Sequence, residues 1–597
     1  MAENINGVRA DEEVKRYKKM SVVKRLFSYL KPYKMKVFIV VLLMIVIMVS
    51  TLINPMLLEV AIDKCIGNND VTGLIYMAIA MVTMNLVAMF AMKGRIKLMS
   101  SITNNILINI REDLYTHIQK LSFGFFDSRP VGKILARVIG DIDSLKELFD
   151  TSIMNLIPEM LTLVCVAVMM FVMNYKLAFC ALVIIPLLFL GIFTIEKIGT
   201  EKWRKFRQKK SNLNGFIHED FSGIKLVQAF AAENSRKKSF KDMNGDMIKS
   251  FISCVRISDL FWPLVSTSSG LGTILVYIFG AKFIQGGELE VGTLISFTWY
   301  VTMFWRPIIK LSDFYNSLIT NIAGGERIFE ILDMEPEIFA GDHCKEMPTI
   351  DGRVEFKNVG FAYDKDTTVL NDISFNVEKG SSIALVGATG AGKTTIINLI
   401  SRFYDVNSGA VLIDGIDVRN VTLESLRSQM GIMLQDTFLF SASIKENIRY
   451  GKLDASDEEI IEAAKAVNAH DFIMKLPKGY DTEINERGSR LSVGQRQLIS
   501  FARALLANPR ILILDEATSN IDTATEILVQ RGIQKLLKGR TSFVIAHRLS
   551  TIRDCDRIMV INGGSIEESG THEELLAKKG YYYDLYMAQY RFLKEGA

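Results

Sequence analysis

Gly387-Ala388-Thr389-Gly390-Ala391-Gly392-Lys393-Thr394-Thr395 decides how this chain is read. The stretch fits G-x-x-x-x-G-K-[ST] and lies between two apolar runs, Ser382–Val386 before it and Ile396–Ile400 after it. Strand, glycine-rich loop and helix therefore come in the order that a phosphate-binding loop requires. Gly387, Gly390 and Gly392 let the backbone curl closely enough for its N–H groups to surround phosphate oxygens at the positive end of the next helix. Lys393 is placed to reach the β and γ phosphates, and Thr394 to offer its hydroxyl to Mg²⁺. Thr389 and Thr395 complete the expected phosphate-binding loop.

Further along, Arg510-Ile511-Leu512-Ile513-Leu514-Asp515-Glu516 is an apolar strand ending in two carboxylates, the form of a buried parallel strand that delivers acids to a site at its carboxyl end. Asp515 is expected to hold Mg²⁺, directly or through water, and Glu516 to orient and deprotonate an attacking water. Alternation from Gly352 to Tyr363 reads as another strand.

The 597 residues are too many for one core. An apolar fraction of 49% beside 23% charged residues means that the apolar residues are concentrated somewhere. A net charge of +4 gives no basic field for nucleic acid, and none is expected as a partner. Cys65, Cys165, Cys180, Cys254, Cys344 and Cys555 have neither metal nor disulfide spacing and read as small apolar fillers.

The apolar residues gather in the first half. Residues 37–58 carry no charge and as a helix would measure ~33 Å, enough to cross a ~30 Å hydrocarbon layer. Residues 71–92, 153–173, 177–195, 264–284 and 291–311 are five further candidate spans, with Glu159, Lys282, Arg306 and Pro307 as interruptions. Basic residues crowd the two long connections, for example Arg95, Arg111, Lys133 and Arg137 in one and Lys202, Arg204, Lys209 and Arg236 in the other. By the positive-inside rule both connections are cytoplasmic. Residues 1–20 are too polar for a signal peptide, so the N-terminus is expected in the cytoplasm too.

Apolar positions at helical spacing, such as Leu107, Ile110, Leu114, Ile118 and Leu121, extend the spans beyond the lipid. Their turning points read as Phe123–Asp127 and Glu219–Gly223, whose aromatic residues, Phe125 and Phe221 among them, suit docking tips. Pro336 ends the last long helix. The expected architecture is an α-helical transmembrane domain of six long helices with cytoplasmic extensions, followed by an α/β P-loop ATPase domain. Its parts are a cytoplasmic segment over residues 1–36, the membrane domain over 37–332, a linker over 333–350 and the nucleotide-binding domain over 351–597.

Leu491-Ser492-Val493-Gly494-Gln495-Arg496-Gln497 resembles the signature motif of ATP-binding-cassette proteins, which separates them from other P-loop ATPases. The resemblance covers nearly the whole chain and is closest to the half-transporters among bacterial multidrug and lipid exporters. It implies that Tyr363 stacks on adenine, that Gln435 lies between the phosphate site and the membrane domain and takes part in Mg²⁺ binding, and that His547 contacts the γ-phosphate. It also implies that Asp522 belongs to a loop at the dimer interface. Ser492, Gly494 and Gln495 would contact ATP held by a second cassette, and the segment around Glu486 would touch the coupling helices. His117, His218, His343, His470 and His572 have no such support and read as ordinary.

Val493 departs from the family's pattern, where glycine is usual. A β-branched residue there adds bulk and excludes positive φ. With the phosphate loop, Asp515, Glu516 and His547 intact, the combination resembles one subunit of a heterodimeric exporter, whose partner is a different half-transporter with a degenerate ATP site. A homodimer that tolerates Val493, such as a lipid flippase, is the alternative. The implied activity is ATP hydrolysis coupled to export of a small hydrophobic or amphipathic substrate across the cytoplasmic membrane, with membrane lipids as the surroundings. Met44, Met48, Met81, Met84, Met169, Met170, Phe297, Trp299 and Tyr300 suit either a flexible ligand cavity or plain helix packing. Glu159 and Arg306 are expensive against lipid and should face a cavity or a partner; Glu159 could attract cationic ligands, mark an interface edge or pair with Arg306.

Overall fold

The computed structural model describes residues 19–150, 156–338, 344–364, 367–433, 437–485, 488, 491–515, 523–545 and 552–595. Backbone contacts divide the chain into two compact units, one of residues 1–119 and 130–334, the other of residues 120–129 and 335–597.

The first unit is helical. By length and composition, four of its described helical stretches can cross a membrane: Lys31–Ile66, Val71–Lys120, Tyr175–Ser222 and Glu233–Gln285. The helix Ile157–Met173 is apolar but has only 17 residues, and Val291–Leu332 has 42 with Arg306, Pro307 and Lys310 inside it. Each of the six stretches read as spans falls on helix where it is described, except that the stretch 177–195 is broken by a turn at Val183 and Ile184; residues 153–155 lie outside the described residues.

Val71–Lys120 shows why these helices outrun the lipid. Its 50 residues measure ~75 Å, more than twice the ~30 Å hydrocarbon layer. Apolar residues alone dominate its first half. In the second half Ile102, Ile106, Leu107, Ile110 and Leu114 are buried at helical spacing among exposed polar residues.

The third and fourth candidate spans meet in a turn of one residue. Asn174 ends Ile157–Met173 in an extended conformation, and its Oδ1 accepts from the Leu177 backbone N–H at 3.1 Å, capping Tyr175–Leu182. The chain then breaks and restarts at Ile185–Ser222 with Pro186 in its first turn, where a missing N–H costs nothing. The helix Lys34–Val60 is tied to Val291–Leu332 at Pro55 and three residues before it: Ser296 Oγ donates to the Pro55 carbonyl and Tyr300 Oη to the Leu52 carbonyl, each at 2.6 Å. Met44, Met170, Phe297 and Tyr300 are buried in packing, whereas Trp299 is exposed.

The second turning point lies later than the sequence suggests. Ile185–Ser222 ends at Gly223 and a short helix, Ile224–Ala229, forms the tip before Glu233–Ser258 begins. Leu226 and Phe230 on this tip are exposed together with Phe221.

The second unit contains strands β1 Val354–Asp364, β2 Thr367–Val377, β3 Ser382–Val386, β4 Ser408–Ile413, β5 Ile416–Asp417, β6 Met430–Met433, β7 Ile511–Asp515, β8 Thr541–Ile545, β9 Arg557–Asn562 and β10 Ser565–Gly570. Strands β2-β1-β4-β5 form an antiparallel sheet. The order β10-β9-β3-β8-β7-β6 forms a second sheet, parallel except at β10. β3 and β8 are buried along their whole length, as expected for parallel strands covered on both faces. Met347 and Ile350, at the end of the stretch read as linker, are buried in the core between the sheets.

Candidate functional site

The parallel sheet sets up the site by aligning carboxyl ends. β8 separates β3 from β7, with Leu385 and Asp515 both in register with Ile545. The phosphate loop leaves β3 and Asp515 closes β7, so the two sit on the same edge, about 10 Å apart across one strand. In sequence, His547 follows β8, Glu516 follows β7 and Gln435 follows β6. Gln435, Glu486, Glu516, Asp522 and His547 lie outside the described residues.

The loop has the backbone that phosphates need. Gly387, Gly390 and Gly392 have φ of +155°, +83° and +107°. Gly392 is the N-cap of the helix Lys393–Ile400, and a Cβ there would stand 2.6 Å from Leu370 Cδ2. At Gly387 a Cβ would run into the Ile561 carbonyl. The helix N-terminus and the exposed loop residues Ala388, Thr389 and Gly390 face outward together with Thr394.

Lys393 is 8% exposed, and its ammonium donates to the Gly387 and Ala388 carbonyls, both at 2.8 Å. Burial pushes its pKa below the ordinary lysine range, and Asp515 opposes that shift. The charge is thus held at the loop mouth by carbonyls that a phosphate can replace. Thr395 is buried, and its Oγ1 lies 3.1 Å from Tyr363 Oη. Asn398 Nδ2 also reaches Tyr363 Oη, at 3.3 Å. Tyr363 is therefore held beside the loop with 45% of its surface exposed.

Ser492, Val493, Gly494 and Gln495 start the helix Val493–Leu506. Ser492 Oγ accepts from Gln495 N–H at 3.2 Å, and Gln495 Oε1 accepts from Ser492 N–H at 3.0 Å, a reciprocal capping box. Val493 occupies the first helical position with no positive φ, so glycine is not required there by backbone conformation. What Val493 changes is bulk at a half-exposed helix N-terminus.

A contact that the sequence reading missed joins the tip at residues 120–129 to the sheet domain. Phe123–Asp127 is helical; Phe123 packs on Phe403 with ring centroids 4.7 Å apart, and Tyr404 Oη donates to the Asp127 carboxylate. Arg427 lies over the other partner, 4.9 Å from the Phe403 ring. Tyr404 in turn meets Tyr363 edge to face at 5.0 Å. Phe125, expected at a docking tip, is buried there, with Arg129 4.8 Å over its ring. The signal was available in Arg402-Phe403-Tyr404-Asp405, two aromatics just after the phosphate-loop helix, but nothing local marks their partner.

A helical membrane domain fused to a P-loop ATPase with a capped signature helix defines an energy-coupled membrane transporter. The family described as ABC transporter transmembrane region matches residues 37–308, and the family described as ABC transporter matches residues 370–519. The "Uncharacterized ABC transporter ATP-binding protein YknV" of Bacillus subtilis is 43% identical over 568 residues, 95% of this chain and 94% of that protein. An "ATP-dependent lipid A-core flippase" of Syntrophus aciditrophicus is 38% identical over 97% of this chain and 96% of its own length. A bacterial Atm1-family ABC exporter, solved with ATP bound, superposes with a TM-score of 0.78 at 29% identity, covering 93% of this chain and 98% of that one. The chain belongs to the ABC transporter family as an exporter half-transporter, with an ATPase domain that binds ATP and couples its hydrolysis to transport.

Proposed function

We propose that this chain exports amphipathic or hydrophobic compounds of the multidrug type across the cytoplasmic membrane, paired with a different half-transporter. The observation that carries the pairing is Val493, which puts an isopropyl group at the N-terminus of the signature helix while the chain's own phosphate loop keeps every fixed residue. Bulk at that helix end hinders its approach to a nucleotide on the opposite cassette.

In this reading Lys393 and Thr394 hold the nucleotide's phosphates and Tyr363 takes the adenine face. Thr389, Gly390 and Thr395 shape the loop around it. Thr394, Gln435 and Asp515 would hold Mg²⁺, which when bound neutralises phosphate charge. Glu516 takes a proton from the attacking water, and His547 contacts the γ-phosphate. Ser492, Gly494 and Gln495 meet the nucleotide of the partner cassette, and Asp522 lies at that interface. The tip at Phe123–Asp127 and the exposed tip around Phe221 and Phe230 carry cassette closure to the spans. The long basic connections and both tips are cytoplasmic, as are the N-terminus and the cassette.

Half-transporters of this family work as dimers, so the test is composition. Tagged chain purified from its native host should bring down a second half-transporter in equal amount, and ATP turnover should need both. A self-pair with full activity would overturn the heterodimer and favour a homodimeric lipid flippase, the function for which one relative is named.

A further inference from the structure

We propose that Arg427 is a positioning residue. It ties the far end of the phosphate-loop helix to the tip at residues 120–129 and, through its own short helix, to the linker, so that nucleotide at the near end of the phosphate-loop helix acts on both. This role presupposes that the tip at Phe123–Asp127 carries cassette closure to the spans.

The helix end comes first. Lys393–Ile400 has only eight residues, ~12 Å, so its C-terminus is a short rod away from the phosphate loop. It stops in a Schellman turn: Phe403 N–H donates to the Asn398 carbonyl at 2.8 Å and Arg402 N–H to the Leu399 carbonyl at 3.1 Å. Arg402, with φ +51°, fills the left-handed position where glycine is usual. Burial holds it there, at 2% exposed, with bonds to Asp405 at 3.0 Å and the Val421 carbonyl at 2.8 Å. The Ser401 and Arg402 carbonyls lie beyond the helix ladder, and Arg427 answers both, Nε donating to Ser401 at 3.1 Å and Nη2 to Arg402 at 2.7 Å. A cation is also what the negative end of a helix favours.

From that anchor Arg427 reaches the tip and the linker. Its guanidinium lies 4.9 Å over the Phe403 ring, and Phe403 packs on Phe123 of the tip. Arg427 ends the short helix Leu423–Arg427, and the same segment holds the linker: Ser425 Oγ accepts from the Met347 N–H and Gln429 Oε1 from the Ile350 N–H, each at 2.8 Å. Gln429 Nε2 donates to the Pro348 carbonyl at 3.0 Å. Tip and linker meet again where Ser122 Oγ donates to Glu337 at 3.1 Å. These contacts close into a ring, and Arg427 stands where the ring meets the phosphate-loop helix. The place calls for arginine: a planar guanidinium donates along its edge and stacks by its face at once, whereas an ammonium does only the first.

The test is hydrogen–deuterium exchange on the full transporter in lipid discs, with and without Mg²⁺ and a non-hydrolysable ATP analogue, the β,γ-imido triphosphate. In the wild type the analogue should slow exchange several-fold at the amides of residues 122–128 and 345–350. Arg427→Lys keeps a cation that can donate to both carbonyls, so Tm and analogue affinity should stay at wild-type values. Without a planar face on Phe403, the slowing at the tip should nevertheless be lost. Phe403→Leu should lose it too, and the double variant should be no worse than either alone, because the two side chains act in series. Gln429→Ala should lose the response at residues 345–350 and keep that of the tip. A tip response that survives in Arg427→Lys would overturn the inference, as would losses that add in the double variant. A fall in analogue affinity alongside the lost response would mark Arg427 as merely structural and overturn it as well. These outcomes leave the tip's role in closure standing, whereas a wild-type tip that does not respond to the analogue overturns that role and the inference together.

Discussion

Tyr404 Oη donates to the Asp127 carboxylate, joining the chain just after the phosphate-loop helix to the short helix Phe123–Asp127. Tyr404 also touches Tyr363, so one side chain contacts both the proposed adenine platform and the tip. Tyr404→Phe keeps the ring packing and removes only the bond, which is worth about 1.5–3 kcal/mol when the acceptor is charged. Transport should fall several-fold with a smaller loss of basal ATP hydrolysis, read as transported substrate per ATP. Burial, followed by the bond to Asp127, pushes the Tyr404 phenol above the ordinary tyrosine range. A raised folded pKa means that this contribution is complete below about pH 10 and fades as pH rises further, so coupling should not vary from it between about pH 6 and 9. An unchanged ratio in Tyr404→Phe would show that the contact does not couple the two.

Gly392→Ala should weaken ATP binding. The residue has φ +107°, which an L side chain rarely adopts, and the added methyl would also push on Leu370 Cδ2 at 2.6 Å, so the loop is strained. Fluorescent nucleotide titration should show at least a tenfold loss, corresponding to about 1.4 kcal/mol or more. Wild-type affinity would contradict the loop geometry.

The phosphate loop was legible because its chemistry is local: glycine spacing, an apolar strand before and a helix after. The strand ending at Asp515 was legible for the same reason. Lys310 as the main partner of Glu159 was not, because Glu159 and Lys310 are 151 residues apart and only tertiary packing brings them together. The pairing of Tyr404 with Asp127 is another such case. The second tip was misplaced because residues 219–223 continue or end a helix with no proline to mark the turn, and the chain folds back over Ile224–Ala229 instead. At Val493 the sequence raised both added bulk and the loss of positive φ, whereas a serine cap and a helical first position remove any need for positive φ.

Val493→Gly is the matching test of the signature helix. Glycine removes the isopropyl bulk at a cost of up to about 1 kcal/mol in helix propensity. ATP turnover by the self-paired chain should rise several-fold. No rise would mean that Val493 is not what limits the signature.

At the other end of the membrane unit, the Asp63 carboxylate accepts from the Gly292 N–H and, at 3.0 Å, from the Thr293 N–H, capping Val291–Leu332 from a different helix. Glu59 accepts from the Thr293 hydroxyl at 2.9 Å. Asp63→Ala should lower stability by about 1–2 kcal/mol, as for other lost N-caps, visible as a lower Tm in detergent. An unchanged Tm would show that the cap contributes nothing.

Glu516 as the base of ATP hydrolysis is tested by steady-state turnover in lipid by the full transporter, beside the Glu516→Gln variant. Turnover should fall about a hundredfold or more in the variant while ATP binding persists, because only the proton acceptor has gone. Unchanged turnover in Glu516→Gln would contradict it.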